Sequence, residues 1–325
     1  MKSRAFCFAL LSVIAIVASA PAQAQNGSLT RSFVSSAGSD SNPCTITQPC
    51  ASFARAYIAV GPNGIITALD PGKYGPLPNI FTNLTVNGNG WAAMTAPAQG
   101  AGITIIGSGN VTLIGLEIDG ADAAYNGIVE YSSGSLTVEN CTLQNFVYNS
   151  SNPALTGNGI LIQPTSGTLN FTISNTTVSN NGQGGVVYSP INNGSPSDNG
   201  VIDHVIANGN VGGILIDTTA PIGGTIAITV SNAIASGNSQ GIIVIGGSSA
   251  TTKVSIDNVN ASGNAVGVNA SGKSQVLLGR SVITGNNVGV INSTTSSTFY
   301  TMQNNVILDN DTDGYSSLST AKSLH

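Results

Sequence analysis

The stretch SGNAVGV, residues 262–268, is one copy of a motif that returns as NGNVGGI at 208–214, SGNSQGI at 236–242 and TGNNVGV at 284–290. Aligned on its second glycine, the motif extends to Gly127, Gly159, Gly185, Gly213, Gly241, Gly267 and Gly289, at spacings of 22 to 32 residues. Short β-branched runs follow several of these glycines, such as ILIQ at 160–163, ILID at 214–217 and IIVI at 242–245. A second landmark follows at Asn140, Asn175, Asn232, Asn258 and Asn304, its place taken by His204 and Arg280 in two rows. Six residues on comes a third, at Asn181, Asn210, Asn238, Asn264, Asn286 and Asn310, with Phe146 the one exception. Three landmarks per period, each beside a short β-rich run, describe an all-β solenoid whose coils hold three strands and stack about 4.8 Å apart. Asn suits the corners because it tolerates left-handed backbone and can hydrogen-bond its own copy in the next coil, forming a ladder. Glycine makes a corner that a Cβ would obstruct. The expected ladder residues are Asn175, Asn232 and Asn258 at one corner and Asn210, Asn238, Asn264 and Asn286 at the other, in about nine to ten coils with three parallel sheets.

The remaining composition narrows the function classes. Only 7% of the 325 residues are charged and the formal net charge is −5, or −7 without Lys2 and Arg4. A chain with that sign and no basic run has nothing to hold a phosphate backbone, so nucleic acid is not an expected partner. Residues 1–24 read as a secretory signal, with a basic start at Lys2 and Arg4, an apolar run from Ala5 to Ala20, and Ala22-Gln23-Ala24 as the cleavage site. The expected location is therefore secreted, periplasmic or extracellular, with no membrane span left after cleavage. In such an oxidising compartment Cys44 and Cys50, in NPCTITQPC, suit a local disulfide.

The repeat pattern resembles the right-handed parallel β-helix of the pectate-lyase-like superfamily, and the resemblance covers residues 30 to 315 or so. The segments FVSSAGSDSNPCTITQPCASFARAYIAV (33–60), IITALDPGKYGPL (65–77) and ITIIGSGNVTLIGLEIDG (103–120) are similar to the N-terminal part of many secreted β-helix proteins. The resemblance implies a right-handed coil and a short helix that caps its open end. Phe53, Tyr57 and Val60 give a helix over 51–60 its apolar face. The expected organisation is a signal at 1–24, a cap at 25–64, a β-helix at 65–314 and a tail at 315–325.

The same fold carries many functions, so chemistry must be sought in the side chains. The connection after each first strand is the variable one, and related lyases and hydrolases work along one sheet and its flanking loops. Asp198, Asp217 and Lys253 form the candidate catalytic patch there. Two carboxylates could act as acid and base and a lysine could abstract a proton, whereas the competing account is that a solenoid edge simply needs some charge. Asp203, His204 and Asp257 are candidate substrate-binding residues. IDH at 202–204 resembles part of a pectate-lyase segment, but Val201 stands where that family has tryptophan, and His204 also falls in an Asn column. Asp309, Asp311 and Asp313 have the spacing of half a calcium loop, making Ca2+ the one candidate cofactor, but position 12 is Thr320 rather than Glu. A polar last coil is the other account of that segment. Outward positions of the first strand read Val129, Leu161, Val187, Leu215, Ile243, Asn269 and Ile291, an apolar stripe suited to a loop, a tail or self-association. Two functions fit these residues. One is a non-catalytic surface, envelope or adhesion module that binds a polysaccharide or cell-surface glycan. The other is a polysaccharide lyase or glycoside hydrolase.

Overall fold

The computed structural model describes residues 28–320, apart from 78, 108, 152–155, 192–193, 221–222 and 315–317. The signal segment 1–24 lies outside the described residues, as does most of the 315–325 tail. The chain is an all-β parallel solenoid with a single described helix. Eight parallel strands form the first sheet, from Ala101–Ile105 through Asn126–Glu130, Asn158–Ile162 and Gly184–Tyr188 to Val288–Asn292. Eight turns thus stand against the nine to ten expected, because among the described residues the early coils put no strand on this face. Ile80 makes only an isolated bridge to Ile105 there.

Each strand supplies the core by simple alternation. Ile128, Ile160, Val186, Ile214, Ile242, Val268 and Val290 stand in register down the first sheet, all without solvent exposure. The middle strands run from Gly134–Glu139 to Thr298–Thr301, and the three-residue closing strands from Thr142–Gln144 to Val306–Leu308. They line the other two faces, with Val138, Ile173, Ile202, Val230 and Ile256 in one inward column. These two faces form one 20-stranded sheet rather than two separate ones. The strand Gly109–Asp119 explains the join, because it pairs with Gly134–Glu139 through its first half and with Thr142–Gln144 through its second. Gly115, at a φ of 62°, turns the corner within that unbroken strand.

The structure gives the recurring motif two physical reasons. Gly237, Gly263 and Gly285 hold left-handed φ angles of 63° to 64°. At the second glycine, a Cβ on Gly213 would lie 2.5 Å from the carbonyl oxygen of Gly241 in the next coil, and Gly185 and Gly241 face the same obstacle. Any side chain there would push neighbouring coils apart. Between the two glycines sits the ladder. Asn181 Nδ2 donates to Asn210 Oδ1 at 2.9 Å, and the rungs continue to Asn238, Asn264, Asn286 and Asn310 at 3.1, 3.1, 3.0 and 2.8 Å. Each side-chain oxygen also accepts the backbone N–H of the preceding rung, and Asn210, Asn238, Asn264 and Asn286 are buried.

The other Asn corner behaves differently. Asn140, Asn175, His204, Asn232, Asn258 and Arg280 all take left-handed φ values of 49° to 53°. Asn258 donates to Asn232 at 2.7 Å, but Asn232 donates to the Asp203 carboxylate rather than to another amide. This exposed file is interrupted by His204 and Arg280, so its common feature is backbone geometry and not a continuous ladder.

The N-terminal cap is built around the helix Phe53–Ala59. Ser52 Oγ accepts the N–H of Arg55, and Asp40 Oδ1 accepts the N–H groups of Ala51 and Ser52. Phe53, Ala56, Tyr57 and Val60 are fully buried, and the rings of Phe53 and Tyr74 pack 5.3 Å apart. Cys44 and Cys50 form a buried disulfide beside them.

The apolar stripe exists in register, but much of it is not free. Val129, Leu161 and Val187 are buried in a second small cluster with Ala101, Tyr131 and Leu215. A self-association face there would be confined to the later coils, where Leu215, Asn269 and Ile291 are partly exposed.

Candidate functional site

The middle strands turn three side-chain columns outward, and on the later coils the first two line a groove of about 680 Å³. Asn199, Ala227, Lys253 and Gln275 make one column, and Val201, Thr229, Ser255, Leu277 and Tyr300 the next. A smaller adjoining hollow of about 290 Å³ shares Ser255 and Leu277 and adds Asp257, Arg280, Met302 and Asn304. The third column reads Glu139, Ser174, Asp203, Ser231, Asp257 and Gly279. The carboxylates are thus separated by a serine in each intervening coil, about 10 Å apart.

These carboxylates are already engaged. Asp257 pairs with the Arg280 guanidinium, whose Nε donates to Oδ1 at 2.8 Å and whose Nη2 donates to Oδ2. That hydrogen bond holds the Asp257 carboxyl below its ordinary range. Asp203 accepts from Ser231 Oγ at 2.6 Å and Asn232 Nδ2 at 2.8 Å, and its other oxygen meets His204 Nδ1 at 2.6 Å. The Ser231 hydrogen bond leads in lowering its pKa, with His204 and Asn232 adding to it. Lys253 is exposed and, among the described residues, has no ion-pair partner.

The expected catalytic trio does not assemble. Asp198 is fully buried, because alternation that turns Asn199 outward turns its neighbour inward. Asp198 Oδ2 accepts the Tyr188 hydroxyl at 2.7 Å and Oδ1 accepts the Leu169 N–H at 2.8 Å, while burial raises its pKa. Asp217 ends a strand of the first sheet, on a different face from Lys253, and its Oδ1 accepts both the N–H and the hydroxyl of Thr219. Lys253 instead shares its face with Asp203, His204 and Asp257. Asp257 is four residues along the same strand, roughly 13 Å away. Asp198 acts as a pin for the loop before it. Removing the carboxylate in Asp198→Ala will leave the Tyr188 hydroxyl and the Leu169 N–H unpaired in the core. The expected loss of stability is about 2–3 kcal/mol, read from urea melts.

The calcium trio is not gathered either. Asp313 Oδ1 accepts the Asn310 amide at 2.9 Å, and among the described residues no group of three metal-ligating side chains comes together. Sequence reasoning passed over Tyr300, Gln275 and Arg280 as site residues. Counting register from Lys253 and Asp257 across one coil leads to Gln275 and Gly279, and thence to Arg280, so the repeat did contain the signal.

The family described as right handed beta helix region matches residues 74–255, more than half of the chain, and the protein belongs to that family. Among solved structures it is similar to pectate lyase Pel9A, at 17% identity and a TM-score of 0.57, over 91% of this chain and 80% of that one. The A-module of the Azotobacter vinelandii mannuronan C-5 epimerase AlgE4 follows at 16% identity and a TM-score of 0.47, over 70% and 72% of the two chains. A rhamnogalacturonan lyase is similar at 13% identity and a TM-score of 0.46, over 83% and 72%. At these identities the likeness is one of fold. Comparison with curated proteins finds no significant match.

Proposed function

We propose that this chain is an exported, non-catalytic β-helix protein that binds an extracellular glycan along the outer face of its middle strands. The observation that carries this reading is the state of the charges in and beside the groove. Both carboxylates nearest the groove are committed to partners of their own, and among the described residues no unpaired acid and base converge there. Among the described residues, what the groove offers a ligand is one cation without an ion-pair partner, Lys253, beside amides, hydroxyls and the Tyr300 ring, with Val201 and Leu277 as apolar floor. That mixture suits hydrogen-bonded, partly stacked recognition of sugar rings. The buried Cys44–Cys50 disulfide supports an oxidising, extracellular setting. No described helix is long and apolar enough to cross a membrane.

The test is a panel of neutral and acidic polysaccharides, assayed with and without calcium for binding, for new reducing ends and for unsaturated products. Binding without turnover is expected, and Lys253→Ala weakens it by roughly tenfold, the worth of one charge-assisted hydrogen bond. Turnover that Lys253→Ala or Asp217→Ala abolishes would replace this reading with that of a polysaccharide lyase or hydrolase.

A further inference from the structure

The ladder does not run the whole length of the rod, and a second hollow opens where it stops. Phe146 takes the place of a rung, and its backbone N–H is the last group to reach a ladder oxygen, that of Asn181, at 3.3 Å. Beyond it the same corner is built differently. Ala121 and Asp122 are consecutive left-handed residues, at φ 50° and 53°, and Gln99 in the preceding coil is left-handed at 58°. The three corner segments stay stacked through backbone hydrogen bonds, Gln99 N–H to Ala123 O at 2.8 Å and Val147 N–H to Ala124 O at 2.8 Å. Wider corners without the inward amide leave an open hollow of about 450 Å³ between them.

Its lining has a definite chemistry. Tyr148 is 45% exposed and presents its ring to the hollow, held where Gly182 lets its backbone pass, since a Cβ on Gly182 would sit 2.7 Å from the Tyr148 nitrogen. Tyr125 accepts a hydrogen bond from Asn149 Nδ2 at 2.9 Å, which fixes its hydroxyl and leaves the hydroxyl proton to be donated. The exposed Asp122 carboxylate and the Gln99 amide complete the polar rim. Among the described residues, no Lys, Arg or His lines the hollow. An aromatic face beside a carboxylate, an amide and a phenol matches a pyranose ring, which has an apolar face and a fringe of hydroxyls. An anionic ligand meets only the Asp122 charge.

We propose that this corner hollow is a second glycan site, selective for neutral sugar residues, with Tyr148 as stacking platform and Asp122 as hydroxyl acceptor. The site rests on the reading that the chain binds glycan, and lies on different coils from the Lys253 groove. The experiment is saturation-transfer NMR and calorimetry on the full mature chain with cellotetraose and mannotetraose as neutral probes and trigalacturonate as the anionic one. A neutral probe is expected to bind. Tyr148→Ala weakens it roughly tenfold while Tyr148→Phe retains it, Asp122→Ala weakens it severalfold, and Lys253→Ala leaves this component unchanged. Thermal melts of the same variants, all at exposed positions, confirm that each is folded. Loss of all neutral binding in Lys253→Ala with none in Tyr148→Ala overturns the second site while the groove reading survives. No binding of any probe overturns both. Tyr148-dependent binding of trigalacturonate in preference to the neutral probes overturns the assigned ligand class.

Discussion

Replacing Asn264 with alanine will strongly destabilise the central coils. Its amide donates to Asn286 Oδ1 and to the Ala235 carbonyl, both at 3.0 Å, and its oxygen accepts the Asn238 backbone N–H and the Asn238 amide. Truncation strands these groups at a buried position, where each unpaired donor or acceptor costs on the order of 1–3 kcal/mol. Because the neighbours share the damage, a total of about 3–5 kcal/mol is expected. The matched control is Asn232→Ala at the exposed corner. There alanine loses mainly its ease in left-handed backbone, at φ 52°, and about 1–2 kcal/mol is expected. Urea melts of the two variants read the difference, and amide exchange over residues 230–290 places it, since a solenoid transmits stability chiefly to adjacent coils. Equal losses would mean that the buried amides hold the rod no better than a corner does.

The second large effect is one of pH. Glu130 lies on an inward column of the first sheet, between Ile105 and Ile162 of the adjacent coils, with no solvent exposure. Its Oε1 accepts from the backbone N–H of Ser132 at 2.6 Å and from the Ser132 hydroxyl, while Oε2 has no partner. Burial pushes the carboxyl up to about 7, only partly offset by Ser132. The folded protein therefore holds a proton that the unfolded chain has released above about 4.5, and stability must fall as pH rises from there through about 7. The shift corresponds to about 3 kcal/mol. Glu130→Gln, a neutral isostere, is expected to match the wild type at pH 4 and to exceed it by about 3 kcal/mol at pH 8. Asp198, also raised by burial, acts in the same direction, so the slope is reduced and not abolished. Asp203 and Asp257, whose pKa values are lowered, lose their contribution only below their ordinary value of 3.8, outside this window. A wild type whose stability is level between pH 5 and 8 would sink the argument.

The fold was legible because a solenoid writes its cross-section into the sequence once per turn. The glycine and asparagine columns found by counting are the columns that stack, and the alternation of Glu139, Asp203 and Asp257 with intervening coils is present in the register. The site was less legible for a definite reason. Period arithmetic places a residue along the rod, but one step of alternation determines whether it faces core or solvent. Asp198 and Asn199 are adjacent, and only one of them reaches the groove. Asp217 ending a first strand and Lys253 opening a second were grouped across the variable connection, yet the corner between those strands puts them on different faces. Glu130 was hidden by the same cause, as an acid in a strand otherwise read as apolar.

The rungs of the buried ladder all point one way. From Asn181 to Asn286 each amide donates one N–H to the oxygen of the next rung, while the second N–H of Asn210, Asn238, Asn264 and Asn286 donates to a backbone carbonyl of the preceding coil. Aligned dipoles add, so the column is electrically polarised, with its positive end at the last rung. That end terminates on the Asp313 carboxylate, which accepts both the Asn310 side-chain amide and its backbone N–H. A carboxylate in this position serves as the counter-charge of a molecular-scale filament of amides.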